Sequence, residues 1–246
     1  MRIEIGQVEA IFRYPVKSMG GERLELATLG WHGLEGDRRL ALRRIEDRSG
    51  FPWLSASKLP DLLRFAPHRL EDGAPGEDLP THVRTPEGEE LPVFGDELAT
   101  EVGRRFGGPV QMMQLKHGIF DEASISVIAT DTVLEIGRLA GQVPDVRRFR
   151  PNVVVRSLRS GAFQEDEWVG GELSFGEADD APAVAVTMRD LRCSMVNLDP
   201  DSARSAPEMM KAVVRANQNH AGIYGAVTRV GRLAVGQTLF LRAATG

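Results

Sequence analysis

Cysteine is almost absent: the chain of 246 residues has one, Cys193. That excludes an intrachain disulfide framework and any cysteine-rich zinc or iron–sulfur site, and it fits a reducing compartment. No apolar run reaches 18 residues, so no transmembrane helix is expected. Met1 to Gly6 lacks the apolar stretch of a signal peptide, which makes the cytoplasm the expected location. The five histidines are scattered, with no HExxH or other paired metal spacing, and there is no GxxxxGK(S/T) phosphate loop. Positive charge is in deficit: 30 Lys and Arg against 35 Asp and Glu give a net charge of -5. That argues against non-specific nucleic-acid binding, which is driven by neutralising phosphates. Internal repeats, βαβ repetition and long helical arrays are all missing.

What is present reads mostly as short strands between glycine and proline turns. Gln7 to Arg13 alternates, with Val8, Ala10 and Phe12 expected on one face. Further strands are expected at Leu24 to Leu26, Arg39 to Arg43, Asn152 to Arg156, Ala183 to Thr187, Gly222 to Arg229 and Gln237 to Arg242. Thr81 to Thr85 and Leu91 to Val93 suggest a hairpin with a charged tip. Glu167 to Phe175, with Trp168 and two glycines, suggests a bulged or tightly turned strand pair. Ser57 to Phe65 reads as a short connector and Glu71 to Pro80 as a solvent-facing loop. Helices are expected over Asp96 to Phe106, Asp131 to Leu139 and Ala206 to Asn217. In the first, Asp96 is the N-cap candidate, Gly107 the stop, and Leu98, Val102 and Phe106 the inward face. In the second, Val133, Leu134, Ile136 and Leu139 make the apolar stripe. The pattern favours a mainly β (α+β) fold built on a barrel. A boundary near Gly107 to Lys116 divides it into residues 1–108 and 109–246, packed closely enough to share a site.

Four constellations carry chemistry. Lys17 and Ser18 lie in a Pro15/Gly20 turn, and Gly36-Asp37-Arg38-Arg39 forms a second turn. A lysine, a hydroxyl, a guanidinium and turn amides suit a phosphate; surface charge beside glycine turns is the other reading. Arg147, Arg148 and Arg150 precede a valine-rich strand, with Asn152 able to donate to and accept from a polar heterocycle. So many cations together need anions, and Asp145 is a nearby partner. Phe120-Asp121-Glu122-Ala123-Ser124-Ile125-Ser126 offers Asp121 and Ser124 to a ligand, or to an ordinary capping turn. Finally, Cys193 lies between Arg189 and Arg192 on one side and Asn197 and Asp199 on the other. Cationic neighbours favour a thiolate, whereas a small buried hydrophobe is the alternative. His220 is the one histidine after Cys193 and a candidate base for it. A single thiolate can also complete the coordination of a metal already held by an organic cofactor.

Five segments in order resemble the MOSC family, the molybdenum-cofactor sulfurase C-terminal-type proteins, preceded by that family's N-terminal β-barrel region. Tyr14-Pro15-Val16-Lys17-Ser18 and Gly33-Leu34-Glu35-Gly36-Asp37-Arg38 are similar to signatures of the N-terminal region. Phe120-Asp121, Arg148-Phe149-Arg150-Pro151-Asn152 and Arg192-Cys193 through Asp199-Pro200 are similar to those of the MOSC domain. Gly225-Ala226-Val227 and Gly231 to Gln237 resemble its closing strands.

The resemblance implies a MOSC β-barrel related to the β-barrel domain of pyruvate kinase, and a molybdenum cofactor (Mo-molybdopterin). It is shared with proteins that reduce N-hydroxylated or N-oxide small molecules, the mitochondrial amidoxime-reducing component among them. On that model Cys193 ligates molybdenum, with Asn197 and Asp199 beside it. Lys17, Ser18, Arg38, Asp121, Ser124, Arg148, Arg150, Asn152 and Arg192 hold the cofactor. All this requires the thiol to open into a cavity shared with the early lysine and the mid-chain guanidiniums. The chain departs from its relatives at Met195, Asn197 and Asp201-Ser202-Ala203, and at Ser124, where a proline is familiar. A fused ferredoxin-like domain is not expected, so electrons come from a separate donor: a ferredoxin-like protein, a flavoprotein or a cytochrome. The rivals are a sulfurtransferase or sulfur carrier using a Cys193 persulfide, and a non-catalytic binder of the molybdenum cofactor or another phosphate-bearing cofactor such as pyridoxal phosphate.

Overall fold

The computed structural model describes residues 2–70 and 79–243. The first half contains β1 (Arg2–Arg13), β2 (Glu22–Leu24), β3 (Leu26–Gly30), β4 (Gly33–Leu34), β5 (Leu40–Arg44), β6 (Ala66–His68), β7 (His82–Arg84), β8 (Glu90–Pro92) and α1 (Asp96–Phe106). The second contains β9 (Val110–Gln114), β10 (Ile125–Ala129), α2 (Thr130–Ala140), β11 (Val153–Ser157), β12 (Glu172–Phe175), β13 (Ala183–Leu191), α3 (Glu208–Asn217), β14 (His220–Arg229), β15 (Gly231–Ala234) and β16 (Thr238–Arg242). Residues 71–78 of the expected Glu71 to Pro80 loop lie outside the described residues. No helix among the described residues is long and apolar enough to cross a membrane.

Strands run β11-β10-β14-β13-β12-β16-β1, and β1 pairs back onto β11, closing a barrel; β2 extends from β1. The closing strand thus comes from the first residues of the chain, although the other six lie in the second half. β15 likewise pairs with β3. The two expected regions, 1–108 and 109–246, are therefore interleaved in space.

The barrel interior is filled by Val8, Ile11, Val127, Val155, Leu173, Ile223 and Leu239. A second core, outside the wall, packs Ala10, Phe12, Ile128 and Val154 under α2 and α3. The expectation that Val8, Ala10 and Phe12 share a face is corrected: Val8 points in, and Ala10 and Phe12 point out. The register against β11 shifts between Val8 and Ala10, and one extra residue in a strand reverses every side chain beyond it. β10 and β11 are parallel and joined through α2, a single βαβ unit that the sequence reading did not contain. Its strands are apolar on both faces because barrel core and helices cover both. A third core, with Val16, Leu40, Leu62, Phe65, Val83 and Leu98, lies in the N-terminal half.

α1 ends as expected on left-handed Gly107, with Leu98 and Val102 buried. Gly95, however, is the N-cap and Asp96 the first helical residue, where its charge still meets the positive end of the helix. In α2, Val133 and Ile136 face inward, but Leu134 and Leu139 are exposed; the buried stripe runs through Thr132 and Gly137 instead. Glu167 to Phe175 is not a strand pair: Gln164–Trp168 is a 3-10 turn and β12 alone follows. β13 extends four residues beyond its expected end, to Leu191, bringing the chain to Arg192 and Cys193.

Candidate functional site

The turn after β1 carries Tyr14 to Gly21 over β5: Val16 bridges Leu40, and the Lys17 amide donates to the Leu40 carbonyl at 2.8 Å. Asp37, fully buried, is the hub beneath it. Its Oδ1 accepts the Tyr14 amide at 2.7 Å; its Oδ2 accepts Asn152 Nδ2 at 3.0 Å and also pairs with Arg38 Nη1. Arg38 Nη2 donates to the Arg150 carbonyl at 3.0 Å, and Arg150 Nη1 to the Met19 carbonyl at 2.8 Å. Both guanidiniums lie over the Tyr14 ring, 5.0 Å and 4.2 Å from its centre. The expected Lys17/Ser18, Arg38 and Arg150/Asn152 segments thus meet at one place.

Ser18, Arg38 and Arg150 all have left-handed backbones, with φ of 66°, 51° and 51°. Each such non-glycine residue costs about 1–3 kcal/mol and persists where surroundings over-determine it, commonly at functional sites. Here the surroundings are the buried Asp37 hub and the hydrogen bonds it organises.

Lys17 is buried, its ammonium 2.8 Å from Asp121 Oδ1 and 5.5 Å from the Phe51 ring centre. Asp121 is 66% exposed on its other side. Burial opposes its charge, but Lys17, Arg38 and Arg150 hold it below the usual carboxylate range. Burial pushes Arg150 down to about 10 and Tyr14 up to about 12. Ser124 is half-buried against Gly33, whose φ is +105°; a side chain there would begin 2.8 Å from the Ser124 carbonyl oxygen.

From this hub the network continues inward. Asn152 Oδ1 accepts the Ser126 amide, Ser126 Oγ donates to Asp190 Oδ2 at 3.1 Å, and Arg192 Nη2 pairs with that oxygen at 2.7 Å. Arg192 also donates to the Phe149 and Ala221 carbonyls, both at 2.7 Å. Room for its guanidinium comes from Gly222, where a Cβ would lie 3.2 Å from Nη2. Burial raises Asp190 to about 6, against the opposing pull of Arg192 and Ser126. Burial likewise raises Tyr224, which lies in the field of Asp190, Arg192, Asp121 and Arg38. Asp37 and Ser126 lie in the marked segments Gly36 to Arg39 and Phe120 to Ser126, without a role of their own there. Asp190 and Tyr224 carried no signal and are brought in by the pairing of β13 and β14.

Cys193 follows directly and is exposed, so it is not the small buried hydrophobe that its sequence context allowed. The neighbouring arginines are committed: Arg192 to Asp190, and Arg189 to Asp166 at 2.9 Å. Among the described residues no hydrogen bond or ion pair joins Cys193 to His220, which pairs in register with Leu191. The rest of the loop is tied down. Arg148 donates to the Asn197 carbonyl at 3.0 Å and to Asp199 Oδ2 at 2.9 Å. Burial works against the Asp199 charge, but Ser202 and Arg148 keep its carboxyl low. Asn197 Oδ1 accepts the Met210 amide at 2.8 Å, capping α3 from a distance. Arg147 is neutralised by Asp145, the expected partner, and by Asp201, both at 2.7 Å. Arg148, Asn197 and Asp199 therefore hold the Cys193 loop in place.

No group of three or more potential metal-ligating side chains occurs among the described residues. A cavity of about 370 Å³ opens between the two halves. Its walls include Arg148, Arg150 and Met195 but neither Lys17 nor Cys193, so it is not the expected cavity shared by the thiol and the early lysine.

Two family models match the chain, the MOSC domain over residues 114–239 and the MOSC N-terminal beta barrel domain over residues 5–104. No curated protein matches. The YUAD protein from Bacillus subtilis superposes with a TM-score of 0.54 at 15% identity, covering 100% of this chain and 99% of its own, a likeness of fold. YiiM from Escherichia coli gives a TM-score of 0.45 at 12% identity, over 100% of this chain and 72% of that one. YiiM from Geobacillus stearothermophilus gives 0.38 at 18%, over 48% and 54%. The two consecutive family matches, read with the closed barrel and the polar hub beneath it, lead to one conclusion: the chain belongs to the MOSC domain family and carries that family's N-terminal β-barrel region.

Proposed function

We propose that this chain binds the molybdenum cofactor and acts as an oxidoreductase on N-hydroxylated or N-oxide small molecules. The observation that carries the reading is the exposed Cys193 directly after Arg192, the far end of a buried polar network that runs from Arg38 and Asp37 through Asn152, Ser126 and Asp190. A site with one exposed thiol and, among the described residues, no ligand cluster fits a metal whose remaining ligands belong to an organic cofactor. The relation of the barrel to that of pyruvate kinase, and an external electron donor, belong to the same reading.

Lys17 and Arg38 would hold the cofactor phosphate by charge-assisted hydrogen bonds, with the Ser18 hydroxyl beside them and Arg150 behind Arg38. Cys193 would supply a thiolate to the metal. Asp121 orients the Lys17 side chain, and Arg148 with Asp199 orients the thiol loop. The cofactor supplies the redox chemistry when bound; the protein supplies binding, orientation and electrostatics. Nothing among the described residues supports pyridoxal phosphate: the Lys17 nitrogen is taken up by Asp121 Oδ1 at 2.8 Å.

The test is elemental analysis with pterin detection on protein made in a cofactor-competent host. We expect molybdenum and pterin near one per chain, and a loss of at least tenfold in bound molybdenum for Cys193→Ser with an unchanged circular dichroism spectrum. Protein free of both metal and pterin overturns the reading. A stable persulfide on Cys193 without pterin supports sulfur transfer instead, which the free, exposed thiol also suits. Tight cofactor retention without turnover supports a carrier.

A further inference from the structure

Two of the five histidines meet at the surface, and neither belongs to the polar hub. His32 occupies the two-residue turn between β3 and β4, and His117 the loop between β9 and β10. Both are exposed, and their ring centres stand 4.0 Å apart with the planes tilted by 53°.

The backbone fixes both turns. Gly30 pairs with Gly33, which leaves Trp31 and His32 at the tip, and Gly33 packs so closely on Ser124 that a Cβ would lie 2.8 Å from its carbonyl oxygen. Opposite, the Leu115 amide donates to the Arg39 carbonyl at 2.8 Å and the Ile119 amide to the Arg38 carbonyl at 2.9 Å, a clamp on either side of His117. Arg39 Nε donates to the Leu115 carbonyl at 2.6 Å. Ligating groups already held in place lose less freedom on binding than mobile ones.

The other histidines are engaged or enclosed. His68 Nε2 lies 2.9 Å from Glu90 and its Nδ1 3.1 Å from the Ala66 carbonyl; His82 Nδ1 lies 3.0 Å from the Thr81 hydroxyl; His220 Nδ1 is buried. His32 and His117 make no hydrogen bond or ion pair among the described residues, so their ring nitrogens remain for an outside partner. Desolvation, and then the charges of His32, Lys116 and Arg39, hold His117 below the usual imidazole range. At pH 7 it is therefore the neutral imidazole, the form that ligates metals.

We propose that His32 and His117 form a two-imidazole site for a divalent transition-metal ion, with water completing the coordination. Nickel, copper and zinc bind imidazole nitrogen directly. Magnesium and calcium require oxygen ligands, and the charges of Lys116 and Arg39 oppose any dication held by electrostatics alone. With two protein ligands, fewer than a structural zinc site uses, the ion exchanges with solution. When bound it joins the β3–β4 turn to the loop that carries Asp121 and Ser124, and so favours the folded chain. This inference does not rest on the molybdenum reading, whose thiol lies on a different loop.

The test is calorimetric titration of the untagged full chain, stripped of metal by a chelator, with Ni²⁺ and Mg²⁺ at about pH 7.5. Ni²⁺ is expected to bind saturably at one per chain and to raise the thermal unfolding midpoint, with Mg²⁺ at least tenfold weaker. His32→Ala and His117→Ala should each weaken Ni²⁺ at least tenfold and leave the circular dichroism spectrum unchanged, because both side chains are exposed. His82→Ala and Cys193→Ser should bind Ni²⁺ as the parent does, and the second keeps failure of this site distinct from failure of the thiol's. Lowering the pH to about 5.5 should weaken Ni²⁺ as protons compete for the rings. Absence of saturable Ni²⁺ binding, or an unmoved midpoint, overturns the proposal. So does Mg²⁺ binding as tightly, parental affinity in either the His32 or the His117 variant, or loss of the site in Cys193→Ser.

Discussion

At the scale of single residues, the buried carboxyls are the least expected feature. Glu165 is fully buried, held by the Ala129 amide at 3.3 Å and the Thr132 hydroxyl at 2.9 Å. With no cation among those contacts, burial dominates and pushes it up to about 7. The sign follows from proton linkage. Below the ordinary carboxyl range both folded and unfolded chains hold the proton, and Glu165 costs nothing. As pH rises toward 7 the unfolded chain releases it first, so the native state loses stability. Glu165→Gln has no proton to lose. The unfolding free energy of the parent should therefore fall relative to that variant by roughly 2 kcal/mol between pH 5 and pH 8, read from urea midpoints at each pH. A flat difference would show that Glu165 ionises normally. Asp190, raised to about 6, adds to the parent's decline in the same direction. Nothing near Glu165 in the chain announced this; the Gln164–Trp168 turn buries it against α2. Lys17, Arg38 and Arg150, by contrast, were legible, because clustered cations beside turns demand anions whatever the fold.

At the scale of elements, the Cys193 loop and α3 stabilise each other. Pro207, helical at φ −58°, precedes α3 and gives no side-chain cap; Asn197, ten residues earlier, accepts the Met210 amide in its place. Asn197→Ala should cost about 1 kcal/mol of stability, the usual value of a lost N-cap. It should also speed amide exchange at Met210 relative to Ala212 and Val213. Unchanged exchange at Met210 would mean that water replaces the cap at no cost. Helix positions were readable from periodicity and stop signals, as Gly107 confirms by its left-handed backbone. The face of β1 was not, since the bulge at Val8/Ala10 is set by its partner β11 and leaves no local signature.

At the scale of the whole molecule, β1 decides where one unit ends. It lies between β16 and β11 and supplies hydrogen bonds to both. Residues 109–246 expressed alone would present those two strands as unpaired edges and expose Val155 and Leu239, core residues behind them. That fragment should show poor amide dispersion and aggregate. Adding a peptide of residues 1–13 should restore at least part of the native spectrum. A well-folded fragment without the peptide would show that the barrel closes by another route.

Order along the chain was enough to establish the strand-rich class, three helices, the anion-seeking turns, the lone thiol and the family. Those properties depend on neighbours within a few residues, or on motifs that survive any packing. Closure of the barrel by its first strand, the burial of Asp37 and Asp190, and the capture of Arg148, Asn197 and Asp199 by the Cys193 loop depend on partners tens of residues away. So do the exposure of the thiol and the stacking of Arg150 on Tyr14. Burial and long-range pairing are properties of the packed chain, and a residue's chemistry is settled by which partner reaches it there.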